Sequence, residues 1–130
     1  MSERTRIPPL SRFEEEAGFT RALRAGNRIV VSGTVGVEED GSTLPDAGAQ
    51  ADRCFALIRE NVEQLGGRMD DVVRVRMFVT DIADAVAVTA AFTRALGHVR
   101  PTGTLVAIAA LYRPEWKVEI EAEAVAGEEP

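Results

Sequence analysis

The stretch Lys117–Val125 constrains this chain more than any other. It alternates without a break, with Val118, Ile120, Ala122 and Ala124 on one side and Glu119, Glu121 and Glu123 on the other. A period of two belongs to a β-strand, whose successive side chains point to opposite faces of a sheet. One face therefore needs an apolar cover, and the other carries three carboxylates. Asp71–Thr80 repeats the arrangement with opposite charge: Val73, Val75, Met77 and Val79 point one way, and Arg74, Arg76 and Phe78 the other. As neighbours, the two strands set guanidinium groups opposite carboxylates, in cross-strand pairs worth about 0.2–1 kcal/mol each. A solvated face laced with ion pairs fits this pattern. A face packed against copies of itself fits it too, and Phe78 among the arginines favours that reading.

The cover for the apolar face comes from two helices. From Asp46 the residues Ala47, Ala51, Cys54, Phe55, Ile58, Val62 and Leu65 recur at steps of three and four, which makes one helical stripe. Asp46 suits the N-cap and Gly66-Gly67 the stop. Arg53, Arg59, Glu60 and Glu63 fall outside the stripe, toward solvent. A second helix is expected over about Ala83–Leu96, with Val86, Ala90 and Phe92 as its stripe. Before the first helix, Phe19–Leu23 and Arg28–Ser32 read as strands joined at Gly26-Asn27. After the second helix, Pro101 lies in a return loop and Leu105–Ala110 reads as a strand. Trp116 is expected to cap the core edge beside the last strand. The order is strands, helix, strand, helix, strands. It predicts an α+β layer with two helices on one face of a mixed sheet. Residues 1–17, with Pro8, Pro9 and the acidic Glu14, Glu15 and Glu16, read as a loose lead-in, and residues 18–127 as a single domain.

Composition excludes several classes. The 130 residues are 45% apolar and 28% charged, the balance of a globular domain. The net charge of −6 repels phosphate backbones and argues against nucleic acid as a partner. The single cysteine, Cys54, makes no internal disulfide, and its place on the helical stripe reads as a buried, unreactive thiol. The N-terminus has no signal-peptide core, and no stretch approaches the roughly 20 apolar residues of a membrane span, so no membrane partner and a cytoplasmic location are expected. His98 is the only histidine, so neither a zinc set nor a hydrolytic triad is supported. The glycines of Ser32–Gly36 are not followed by a helix, which argues against a dinucleotide loop. No cofactor is expected.

Five segments together resemble one known family, the RidA/YjgF proteins. Phe19–Thr34, with its Gly26-Asn27 turn and Val31-Ser32-Gly33 strand end, resembles the family's N-terminal hairpin. Gln50-Ala51 and Asn61 resemble its first helix, and Asp70–Asp81 its Asp-Asp-Val-Val-Lys strand. Arg100–Val106 sits where the family has Pro-Ala-Arg-Ser-Thr, and Val118–Ala122 matches its Val-Glu-Ile-Glu-Ala end. The resemblance implies a chorismate-mutase-like fold and a homotrimer with a central β-barrel and outer helices. It also implies a small-molecule metabolite as partner, held in clefts between subunits. The family activity it implies is hydrolysis of enamines and imines to ketoacids and ammonia, in which an arginine clamps the substrate carboxylate. Glu119 matches the glutamate of the cleft and is the candidate catalytic residue. Ser32 and Gly33 match the strand end that lines the cleft. Phe19 replaces a tyrosine, Thr89 stands where many members have asparagine, and Thr104 follows in the cleft loop. Gly103 stands where active deaminases have arginine, which brings the chain closer to an arginine-lacking branch. Losing that cation removes a charged hydrogen bond worth about 1.5–3 kcal/mol. Arg76 is a candidate ligand-binding cation in its place, or the ion-pair partner of Glu119 or Glu121; Arg100 is a further candidate. A deaminase or related hydrolase, a ligand sensor or partner subunit, and a ribonuclease are the functions weighed, the last disfavoured by charge.

Overall fold

The computed structural model describes residues 3–127. Its six strands are β1 (Arg4–Arg6), β2 (Ala22–Ala25), β3 (Arg28–Val35), β4 (Val72–Val79), β5 (Thr102–Ala107) and β6 (Val118–Val125), and its helices are α1 (Arg12–Ala17), α2 (Ala47–Gln64) and α3 (Ala85–Leu96). The strands form one mixed sheet in the order β1-β2-β3-β6-β4-β5, in which only β4 and β5 run parallel. The α+β class therefore stands, with α2 and α3 packed together on one sheet face.

β6 sits in the middle of the sheet, and its alternation decides both faces. Val118, Ile120, Ala122 and Ala124 are buried under α2 and α3 with Ile29, Val31, Val75, Met77 and Val79. Every residue of the predicted α2 stripe is buried. α2 also buries two polar side chains, Gln50 and Asn61; Gln50 is fully buried, donates to the carbonyls of Leu44 and Glu115, and accepts from the Lys117 N–H. That amide holds the start of β6 against α2. Gly36 allows the contact, because any Cβ there would run into the Gln50 carbonyl oxygen.

Several expectations shift. The register of β4 against β6 slips between Val72 and Arg74, so Val72 enters the core and Val73 is exposed. In α3 the buried positions are Val88, Ala91 and Leu96, while Val86 is 82% exposed and Ala90 is also exposed. This helix reads Ala-Val-Ala-Val-Thr-Ala-Ala-Phe, apolar on nearly every side, so its sequence does not set its phase. β2 starts at Ala22, so Phe19 lies on the corner before it. β5 starts at Thr102, earlier than the Leu105 expected, because it pairs alongside β4 from Arg74 onward. Arg53 is half-buried, with its guanidinium donating to the Val37 carbonyl at 3.0 Å.

The stretch read as a loose lead-in is ordered, with Met1 and Ser2 outside the described residues. β1 pairs with β2, and Ser11 caps α1 by accepting from the Glu14 N–H. Glu14 is 3% exposed and holds the segment down, accepting from Leu10 N–H, Ser11 Oγ and Arg21 Nε. Burial by itself would raise its pKa; the hydrogen bonds from Arg21, Ser11 and Leu10 outweigh burial and bring it below the ordinary carboxyl value.

Candidate functional site

β3 outruns its neighbour. Ala22 pairs with Val31, so past that point β3 loses β2 on that side. The chain fills the gap at one residue, where Ser32 N–H donates to the Arg21 carbonyl and Ser32 Oγ to the Thr20 carbonyl. Beyond it lies a cleft of about 700 Å³, walled by α1, the Phe19 corner, the loop at Val37–Gly41, one side of α2, Trp116 and Glu119.

A bulge shapes the cleft floor. Val31 pairs with Ala122 and Thr34 with Ile120, so Ser32 and Gly33 together oppose Glu121. The extra residue brings Gly33 beneath the side chain of Glu119, where a Cβ would lie 2.8 Å from Glu119 Cδ and Oε2. Only glycine lets the carboxylate lie across the strand there. Glu119 has no hydrogen-bond or ion-pair partner among the described residues. Burial, and then the nearby Glu121 carboxylate, push its pKa above the ordinary value. A carboxyl of this kind holds a proton more readily than usual and keeps lone pairs free for a ligand or a water.

The two arginines in the cleft wall each place their Nε against a partner. Arg21 Nε binds Glu14 at 2.9 Å, and Arg53 Nε lies 3.7 Å from Glu38. Asn61 is a buried polar group on the α2 side. Cys54 lies beneath the same strand, its Sγ donating to the Thr34 carbonyl. Burial, and then Glu119, push the thiol up to about 12, which makes it unreactive.

The sequence candidates fall into three places. Phe19, Ser32, Gly33 and Glu119 share this cleft. Arg76 and Thr104 lie opposite each other on the sheet face away from α2 and α3. There Arg76 pairs with Glu121 at 3.2 Å beside a shallow depression of about 230 Å³ that also touches Ser32. Gly103 and Thr89 lie outside both. Gly103 pairs with Val75 and turns toward α3, where a Cβ would meet only the Phe92 ring at 3.8 Å. Thr89 is exposed on α3. Arg100 is exposed just before β5, with a left-handed backbone at φ 58. His98 meets only Asp70, at 3.3 Å on the surface. Among the described residues no group of three or more His, Cys, Asp or Glu is placed to hold a metal ion, and no helix is long and apolar enough to cross a membrane.

Sequence reasoning missed α1 and Arg53. The signal for α1 was present, because Ser11-Arg12-Phe13-Glu14 is a Ser-x-x-Glu capping box. Arg53 gave none, since its helical phase is that of a solvent-facing residue. Trp116, expected to cap the core edge, lies just before β6 and forms cleft wall beside Tyr112 and Arg113.

Comparison with known proteins agrees with this architecture. The YjgF/YER057c/UK114-family protein Rv2704 of Mycobacterium tuberculosis has a closely similar structure, with TM-score 0.87 and 35% identity over 95% of this chain and 100% of that one. RidA from an Antarctic Psychrobacter gives TM-score 0.78 at 30% identity, covering 82% of this chain and 87% of its own. The 2-iminobutanoate/2-iminopropanoate deaminase of Escherichia coli K12 is 32% identical over 111 residues, 82% of this chain and 86% of that protein. The model of the endoribonuclease L-PSP family matches residues 10–126. That match spans nearly the whole sequence, so the chain belongs to the endoribonuclease L-PSP family, alongside the YjgF and RidA proteins.

Proposed function

We propose that this protein is a cytoplasmic homotrimer that holds a small metabolite in clefts completed between subunits, and that its hydrolysis of 2-iminobutanoate or 2-iminopropanoate is lost or weak. The observation that carries the reading is the unpaired Glu119 carboxyl lying across Gly33 in a cleft of about 700 Å³. A carboxyl whose pKa is raised by burial, beside an open cleft, suits activation of a water or protonation of a nitrogen. Gly103 and Thr89 stand away from this cleft in one chain. A neighbouring copy would supply that β5 and α3 side to complete it.

The doubt about imino acids rests on Gly103. A substrate carboxylate without its guanidinium partner loses about 1.5–3 kcal/mol, or about one to two orders of magnitude in affinity. The cleft arginines, Arg21 and Arg53, are already engaged with Glu14 and Glu38. The same residue favours a second reading, a non-catalytic ligand sensor or partner subunit, which would bind without turnover. RNA cleavage is disfavoured by the net charge of −6 and by the pairing of Arg76 and Arg28 with Glu121 and Glu123.

The test is ammonia release from freshly generated 2-iminobutanoate by the parent and by Gly103→Arg, a position where a Cβ meets nothing closer than the Phe92 ring at 3.8 Å. We expect an inert or weak parent and a gain of at least tenfold in the variant. A parent as active as the E. coli deaminase would remove the weight placed on Gly103 and make Arg76 and Arg100 the next residues to replace.

A further inference from the structure

We propose that the cleft takes a flat, positively charged ligand, an aryl or heteroaryl amine or imine without a carboxylate. The inference rests on the reading above that the Glu119 cleft is the ligand site, and it names the chemistry that the site would accept.

The first observation is a chain of aromatic rings at the mouth. Phe19 meets Phe13 edge-on at 5.7 Å, Phe13 meets Tyr112 at 6.3 Å, and Tyr112 meets Trp116 at 6.4 Å. The sequence has seven aromatic residues, five Phe, one Tyr and one Trp, and four of them stand here. They come from three separate segments. Phe13 is 63% exposed and Tyr112 82%, so the core does not require them. Exposed apolar surface gathered at the rim of a cleft marks a binding site rather than stray surface carbon. Its volume of about 700 Å³ lies within the roughly 300–1,000 Å³ of clefts that hold ring-bearing organic ligands.

The second observation is charge. With Arg21 and Arg53 engaged, Glu39, Glu60 and Glu119 line the cleft with no ion-pair partner among the described residues. Carboxylates outnumber arginines in the wall, and Arg21 and Arg53 each already face a carboxylate of their own, Glu14 and Glu38, so a carboxylate ligand would meet an excess of like charge, whereas a cation would be drawn in. The rim already stacks one planar cation, because the Arg113 guanidinium lies 5.9 Å over the Trp116 ring. Ring faces of this kind attract cations through their negative quadrupole. Glu119 at the floor would then receive the ammonium or iminium N–H.

Trp116 is the only tryptophan, so its fluorescence reports on the rim directly. The full-length protein is titrated with 2-phenylethylamine and with phenylacetate, which share a ring and differ in charge, and heats of binding are measured in parallel. The amine should bind saturably and at least tenfold more tightly than the acid. Phe13→Ala and Glu119→Gln should each weaken it at least fivefold with unchanged circular dichroism. Phenylacetate binding equally well or better would overturn the charge assignment while leaving the cleft as the ligand site, and loss of that binding in Arg113→Gln would make Arg113 the carboxylate anchor. Binding of neither probe would also overturn the proposal. The cleft reading itself would fail separately, if Glu119→Gln left ammonia release by the Gly103→Arg variant unchanged.

Discussion

Glycine at position 33 is set by the carboxyl lying over it, since a methyl group there would touch the end of Glu119. That end is flexible, so Gly33→Ala should move it at a cost of about 1 kcal/mol, the scale of a forced rotamer. We expect a small drop in melting temperature and a large loss of ligand affinity, a combination that calorimetry and thermal unfolding on one sample would resolve. Equal loss of both would make Gly33 structural only. Glu14 behaves differently, because its carboxyl is buried and already satisfied by Arg21, Ser11 and Leu10. Its pKa is lowered in the fold, so its stabilisation is full above the ordinary value of 4.5 and is lost as pH falls through the lower folded value. Glu14→Gln should cost about 1–2 kcal/mol at neutral pH, toward the low end for charged hydrogen bonds because Arg21 is partly in water. Urea titrations of both forms should converge in acid, and a constant gap down to pH 3 would sink the assignment. The face that Glu119 occupies was legible in the period of its strand, and Gly33 was marked only by the resemblance of its segment to the family's strand end. The Glu14–Arg21 pair was not, since it depends on where the chain returns in space.

At the scale of elements, β6 and α2 were readable because each has one wet and one dry side, and a single phase satisfies both. α3 was not, because alanine and valine cover most of its circumference and packing on α2 selects the face. β4 was read in the right place with one residue misassigned, because a bulge is a matter of pairing that periodicity does not encode. The junction of β3 with α2 depends on Gly36, whose added Cβ would meet the Gln50 backbone rather than a movable side chain. Gly36→Ala should therefore cost about 3 kcal/mol, the upper part of the range for overpacking, against about 1 kcal/mol for Gly33→Ala. Each variant adds one methyl group, Gly33→Ala within β3 and Gly36→Ala just past its end. Chemical denaturation should rank them in that order, and the reverse ranking would mean that α2 shifts more easily than Glu119.

At the scale of the whole molecule, the sheet face opposite α2 and α3 is the unfinished part of the fold. Arg76–Glu121 pairs across it as the opposite charges of β4 and β6 predict, whereas Arg74 has no ion pair among the described residues and Glu123 pairs instead with Arg28 of β3. Ion pairs alone would leave a stable wet face, each worth at most about 1 kcal/mol. Among the charges, however, stand Val30, Val106 and Val125, all exposed, and the half-buried Phe78. Valines spaced through a charged face gain little in water and much in contact with another copy. The proposed homotrimer would cover them and bring the Gly103 side of one chain to the Glu119 side of the next. The wild type should then sediment at three times the 14.0 kDa chain mass. Val106→Asp would set a carboxylate beside Phe78, its neighbour across β4 and β5, on a face that already carries Glu119, Glu121 and Glu123. In one chain Val106 is 41% exposed, so the variant should keep its circular dichroism yet sediment at the mass of a single chain, with ligand affinity at the Glu119 cleft reduced along with it. A wild type that sediments as a single chain would remove the shared cleft. A monomeric Val106→Asp variant that binds ligand as the parent does would keep the assembly and return the whole site to one chain.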